Sequence, residues 1–434
     1  MIRILKIYIS KIFKTEVSRN TSVLVSGTLL AQLIPFILQP FLRRYFDPEV
    51  FGAYSVYMSL LGILIIIASG KYELAIVLPK SDKNAINLVA LNFILNGIFN
   101  ILLLFPLLFW NTEILLFLNL SDKYKLYLYM VPAGTFLYNG YQSVNYWLIR
   151  RKAFKPISIN KFIRRGFEGA AQVGFAVAKQ SNGLIFGDIL GNFINLIVFL
   201  KQGVKTGLNF KWVSLIQIKY VLRKYSEFPK YNLFPGFLSA CSYLLPAILI
   251  NKFYGQKFTG YFDLSKMMLS IPLALIASSV SSVLLQKVSE KFKANQSLLS
   301  DLKPVLYITL IVAFMEWILI YFWGESIFVI IFGKSWQLAG TISQIMVWSF
   351  VLNFIVASFN TLFIGLNKIK LYSLWQIFYF FTIIMLVFFK NSDFVEFLSI
   401  YVAVEIINYF LVIILGIYIV YKYETNLKAG ANYK

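Results

Sequence analysis

The 434-residue chain contains no histidine and one cysteine, Cys241. A Ser-His-Asp triad, a histidine general base and a zinc site built on His or several Cys are therefore excluded. An intrachain disulfide is excluded too, so cysteine usage says nothing about redox compartment. Cys241 sits in an apolar run and reads as packing. Charge is also scarce: 14% of residues are charged, against about 25% in a soluble globular domain. Acidic residues are the scarcer sign, with 19 Asp and Glu beside 41 Lys and Arg and a net charge of +22. Large extramembrane loops are missing as well. An enzyme acting on sugars at a membrane needs acid–base residues in such a loop.

What fills the chain is apolar sequence, 59% of residues, in continuous runs. Runs of about 20 apolar residues are long enough to cross a bilayer as helices. Only helices and closed barrels satisfy the backbone there, and barrel strands would alternate. The expected fold class is an all-α membrane protein with about twelve transmembrane helices. The expected spans are 21–42, 51–70, 85–109, 126–149, 157–178, 182–200, 232–250, 260–286, 303–323, 338–364, 371–389 and 394–421. The first does not read as a cleavable signal peptide, because its apolar stretch is too long and no small-x-small site ends it.

With the N-terminus placed in the cytoplasm, 28 Lys and Arg fall on the cytoplasmic side, 9 on the opposite side and 4 within spans. This asymmetry fits the positive-inside rule and predicts a multi-pass protein of the bacterial cytoplasmic (inner) membrane with both termini cytoplasmic. It assigns most of the positive charge to topology, so no nucleic-acid partner is expected. A faint repeat is present at an offset of 208 residues. Arg44-Tyr45-Phe46 with Phe51-Gly52 aligns to Lys252-Phe253-Tyr254 with Thr259-Gly260. Parallel repeats of six spans are a known transporter plan. The expected organisation is an N-terminal lobe at 1–200, a cytoplasmic linker at 201–230 and a C-terminal lobe at 231–434.

Charged residues within spans are the most informative, since each costs at least about 2.5 kcal/mol at the centre of a lone helix. In the fifth span Arg164, Glu168 and Gln172 share one face, and Gly166, Ala170, Gly174 and Ala178 form another, about 200° away. The sixth span carries a ladder of Gly183, Gly187 and Gly191. The two small-residue ladders are expected to pack together, which turns the polar face away from that contact. Two readings stay open for Arg164 and Arg165: snorkelling or pairing with Glu168, or a phosphate site, for which arginine suits bidentate recognition. Pairing with Glu168 alone leaves one positive charge over. Asp263 and Lys266 are spaced to pair. Asp188, Asp263, Glu316 and Glu405 are candidates for carrying a coupling H+ or Na+, or else for hydrogen-bonding another helix. Asn92, Asn96, Asn100, Asn139, Gln142 and Asn145, with Tyr146, suit either sugar hydroxyls or interhelical hydrogen bonds. No metal and no bound cofactor are expected.

Several stretches resemble polysaccharide flippases of the multidrug/oligosaccharidyl-lipid/polysaccharide exporter superfamily. They are PFLRRYFDPEVFGAYS (40–55), KYELAIVLPKSDKNA (71–85), NYWLIRRKAFKPISINKFIRR (145–165), GLIFGDILG (183–191) and the segment 228–272. The resemblance implies two six-helix lobes around a central cavity and translocation of undecaprenyl-diphosphate-linked repeat units for O-antigen, capsule or exopolysaccharide. By position it marks Arg44, Arg164, Arg165 and Lys266 for diphosphate contact. It implies the lipid bilayer, a polysaccharide polymerase and a chain-length regulator as partners. Stopping at twelve spans reads as the O-antigen type rather than the lipid II type. The rival expectations are a membrane-embedded polymerase, which needs a long periplasmic loop, and a cation-coupled drug exporter, which needs acidic residues in the first lobe.

Overall fold

The structure, a computed structural model, describes residues 16–429 and is built almost entirely of helix. Twelve long helices follow one another among the described residues. They are α1 (Glu16–Tyr45), α2 (Pro48–Ala68), α3 (Asp82–Phe109), α4 (Lys125–Arg150), α5 (Phe154–Val177) and α6 (Gly183–Lys205). After them come α7 (Phe234–Tyr254), α8 (Gln256–Lys293), α9 (Leu299–Phe332), α10 (Gln337–Phe359), α11 (Ile369–Ile384) and α12 (Phe394–Lys428). Every expected span overlaps one of them over most of its length. On length and apolarity, nine membrane spans stand out among the described residues. The other long helices are α1, whose stretch 21–42 is apolar, and α4 and α5, which have the length without the apolarity. All three lie in the first half, and α5 carries Arg164, Arg165 and Glu168 within its span.

The chain divides near residue 240 into two compact units, at a boundary inside α7. Each unit uses the same scheme of neighbours. In the first, α4 packs on α2, α3 and α6; in the second, α10 packs on α8, α9 and α12. The 208-residue offset has a local counterpart as well: α2 begins at Pro48 and α8 begins at Gln256. The two turns that precede them differ. Pro48 occupies the first turn of α2, where its missing N–H goes unneeded. The α7–α8 link is the single residue Gly255 at φ +86°, a conformation that disfavours side chains.

The stretch expected as a linker, 201–230, is held against the first unit. Its short helix Leu215–Lys224 buries Ile218 and Val221 in a core with Val89, Trp147 and Phe199. Asn87 of α3 donates to the Trp212 carbonyl (3.0 Å) and accepts from the Ser214 N–H (3.0 Å). The Tyr72 hydroxyl donates to the Leu222 carbonyl (3.0 Å). Beside this, Asp82 at the start of α3 meets Arg150 (2.8 Å) and Arg151 (2.9 Å) at the end of α4. Asp82→Asn is expected to lower stability by about 1 kcal/mol, the upper range for a partly exposed pair. Thermal melting of the purified variant checks this, and an unchanged melt removes the clasp from the account.

Candidate functional site

The charged residues of α5 come together with α6 and α2. Arg165 Nη1 donates to both Glu168 oxygens, at 3.0 and 2.8 Å. Arg164 Nη2 lies 3.6 Å from Asp188 Oδ1 on α6, and its Nε lies 4.0 Å from Glu168 Oε2. Arg164 Nη1 donates to the Tyr141 hydroxyl of α4 (3.4 Å). The guanidinium sits 5.6 and 5.9 Å from the Tyr141 and Tyr138 ring centroids. Asp188, 1% exposed, also accepts from the Tyr57 hydroxyl of α2 (3.3 Å) and from the Asn192 amide (3.0 Å). The cluster therefore holds two arginines and two carboxylates. The leftover positive charge expected from α5 alone is cancelled by Asp188, which approaches from the next helix. Arg164 Nε is buried and makes no hydrogen bond among the described residues.

The expected helix contact is reversed. Gly187 and Gly191 of α6 pack on the polar face of α5, not on its small ladder. A Cβ on Gly187 would lie 2.4 Å from Gln172 Cγ and 3.0 Å from the Glu168 carbonyl oxygen. One on Gly191 would lie 2.8 Å from Glu168 Cβ. Gly166 and Gly174 have nothing within 4 Å of an added Cβ, and Ala170 and Ala178 are exposed. The physical reason is charge. Arg164 needs Asp188, and the bare α6 backbone makes room for the stems of Glu168 and Gln172. The first member of the α6 ladder, Gly183, meets Phe175 instead.

The amides divide by role. Asn96 donates to the Phe136 carbonyl (2.9 Å) and Asn139 to the Ile65 carbonyl (3.0 Å), so both tie helices together. Asn92 donates to Leu88, and Asn100 to Asn96, within α3. Gln142, Asn145 and Tyr146 are half-buried, and the Asn145 amide donates to Gln142 Oε1 (3.2 Å). Arg44 is exposed. Its neighbour Arg43 is the buried arginine of that turn, with Nε donating to Gln39 (2.9 Å) and its guanidinium 3.5 Å from the Phe51 ring centroid.

In the second unit, Lys266 donates to the Tyr243 carbonyl and lies 3.5 Å from the Tyr243 ring centroid. Asp263 stands one turn before it on α8. Glu405, 4% exposed, accepts at Oε1 from the hydroxyls of Tyr401 (2.7 Å), Tyr379 (3.2 Å) and Tyr409 (3.3 Å). Its Oε2 is buried and makes no hydrogen bond among the described residues. Two of these partners are local, since Tyr401 and Tyr409 stand one turn away on either side, and Tyr379 comes from α11. Glu316 is half-buried on α9, and its Oε2 likewise makes no hydrogen bond among the described residues. No group of three or more Cys, Asp and Glu suited to a metal ion occurs among the described residues.

Known proteins share this architecture. The structure titled as lipid II flippase MurJ, inward closed, superposes with a TM-score of 0.72 at 15% identity, covering 92% of this chain and 91% of that one. An inward-facing multidrug resistance MATE family transporter of the MOP superfamily gives 0.62 at 12% identity, covering 93% and 94%. A MOP superfamily transporter from Pyrococcus furiosus gives 0.57 at 13% identity, covering 94% and 96%. No curated protein matches by sequence. The family model described as "Polysaccharide biosynthesis protein" matches residues 41–340, well over half of the length. The chain therefore belongs to that polysaccharide biosynthesis protein family, and it is a multi-pass membrane protein with the fold of the MOP superfamily.

Proposed function

We propose that the protein is a flippase that moves undecaprenyl-diphosphate-linked oligosaccharide repeat units across the bacterial cytoplasmic membrane by alternating access, for O-antigen, capsule or exopolysaccharide synthesis. The observation that carries this is the ionic cluster of Arg164, Arg165, Glu168 and Asp188, set within the membrane helices of a polysaccharide biosynthesis protein. Arg164 Nε, which makes no hydrogen bond among the described residues, is the donor offered to a phosphate oxygen. Gln142, Asn145 and Tyr146 offer amide and aromatic contacts to the sugar. The fold shared with a lipid II flippase supports a lipid-linked cargo. The polymerase and chain-length regulator of the same polysaccharide are the partners on this reading.

Surface polysaccharide in a strain lacking the protein tests it. Wild type restores the polysaccharide. Arg164→Lys keeps the charge but loses the planar fork, and is expected to restore less than about a tenth at normal protein level, the tenfold that about 1.4 kcal/mol produces. Full restoration by Arg164→Lys removes the guanidinium from the mechanism.

Glu405 is the coupling group on this reading, because it is buried within the membrane helices and its Oε2 makes no hydrogen bond among the described residues, which leaves it open to H+ or Na+. Glu405→Gln is expected to keep the three tyrosine hydrogen bonds while making translocation indifferent to both gradients. Gradient dependence that survives in Glu405→Gln assigns coupling elsewhere.

A further inference from the structure

The second unit contains an apolar groove that the proposed transport does not use. It has a volume of about 510 Å³ and runs between α9, α10 and α12, with Leu302, Leu306, Val356, Phe359, Ile413 and Val420 on its walls. On α12 it reaches from Val412 to Lys428, about 24 Å at 1.5 Å per residue. That is deeper than one leaflet of hydrocarbon, about 15 Å.

Two features set the occupant. The groove is lined in part by exposed apolar side chains, Leu299 and Leu306 on α9 and Ile417 and Tyr421 on α12. Its mouth carries the exposed cations Lys303 and Lys428. The one acid at the mouth, Glu424, is already engaged: its Oε1 accepts from the Leu298 N–H (2.7 Å) and the Ser297 hydroxyl (3.1 Å). It braces the α8–α9 turn against α12, and the lysines are left to face outward.

We propose that this groove is a binding site for an anionic phospholipid of the cytoplasmic leaflet, with an acyl chain in the groove and the phosphate between Lys303 and Lys428. The shape supplies hydrocarbon contact for one chain, and the lysine pair supplies the headgroup preference. The length also discriminates, since a polyprenyl carrier chain is longer than the groove. Placing the mouth at the cytoplasmic face rests on the orientation given by the positive-inside rule.

Gly416 provides the test. It lines the groove, and an added Cβ meets nothing within 4 Å, so the side chain of Gly416→Leu enters the space of the groove. The full chain is purified in mild detergent from membranes containing phosphatidylglycerol and phosphatidylethanolamine. Bound lipid is then read by mass spectrometry of the intact protein. Phosphatidylglycerol is expected to be retained in preference, and Lys303→Ala with Lys428→Ala is expected to reduce that preference roughly 10-fold. Gly416→Leu is expected to lose the bound lipid with an unchanged melting temperature in lipid-free detergent. Equal retention of both lipids, or retention unchanged in both variants, overturns the proposal. So does preferential retention of added undecaprenyl phosphate, which assigns the groove to the carrier. None of these readouts depends on translocation.

Discussion

Gly187→Leu is expected to abolish accumulation of the protein in the membrane, whereas Gly166→Leu and Gly174→Leu leave it unchanged. All three glycines belong to regularly spaced ladders, yet only one faces a neighbour. A Cβ at 187 meets backbone as well as side chain, at 3.0 Å from the Glu168 carbonyl and 3.1 Å from the Gln172 nitrogen. Backbone cannot rotate away, so α5 and α6 must separate. Overpacking alone costs about 1–3 kcal/mol. Separation also lengthens the 3.6 Å approach of Arg164 to Asp188, and breaking a buried ion pair costs about 3–5 kcal/mol. Either term is a large fraction of a typical folding stability, about 5–15 kcal/mol. Membrane protein level and the melting temperature of the three variants decide the matter. Equal behaviour of Gly187→Leu and Gly174→Leu sinks the assigned contact.

Arg164→Leu is expected to destabilise by about 3–5 kcal/mol, because Asp188 is left buried and charged beside Glu168, with hydrogen bonds from Tyr57 and Asn192. Removing both members of the pair, Arg164→Leu with Asp188→Leu, is expected to recover most of that loss, since an apolar pair of similar volume can match a buried ion pair. A double-mutant cycle measures the coupling. Polysaccharide export is expected to stay absent in the recovered double variant, which separates the arginine's part in transport from its part in folding. Arg165→Leu is expected to be milder, because Arg165 is 28% exposed at its side chain. A double variant that is both stable and active would remove the cluster from transport.

The helices were legible because the membrane makes apolarity and length nearly sufficient: all twelve expected spans overlie a long helix. The least apolar cases, α4 and α5, carry amides and charges at helical spacing within runs that are still long enough to span. The site was legible as residues but not as partners. Arg164 and Glu168 lie one turn apart and share a face in any helix. Asp188 meets them only through the rotation of α6, which no local pattern states. The ladders misled because small residues permit close packing without choosing which neighbour approaches. Arg44 and Arg43 differ by 100° around a helix; the clue to the buried one was Gln39, one turn earlier, which accepts its hydrogen bond. Tyr401 and Tyr409 were readable as neighbours of Glu405 by the same spacing, whereas Tyr379 arrives from α11.

The central claim is translocation, and proteoliposomes test it most directly. Undecaprenyl-diphosphate oligosaccharide with a labelled sugar is placed in both leaflets, and a glycan-cleaving enzyme is added outside. With the protein present, the protected fraction is expected to fall toward zero over time. It is expected to persist in protein-free liposomes and in liposomes holding the stable Arg164→Leu, Asp188→Leu variant. A protected fraction that stays the same with and without the protein contradicts the account.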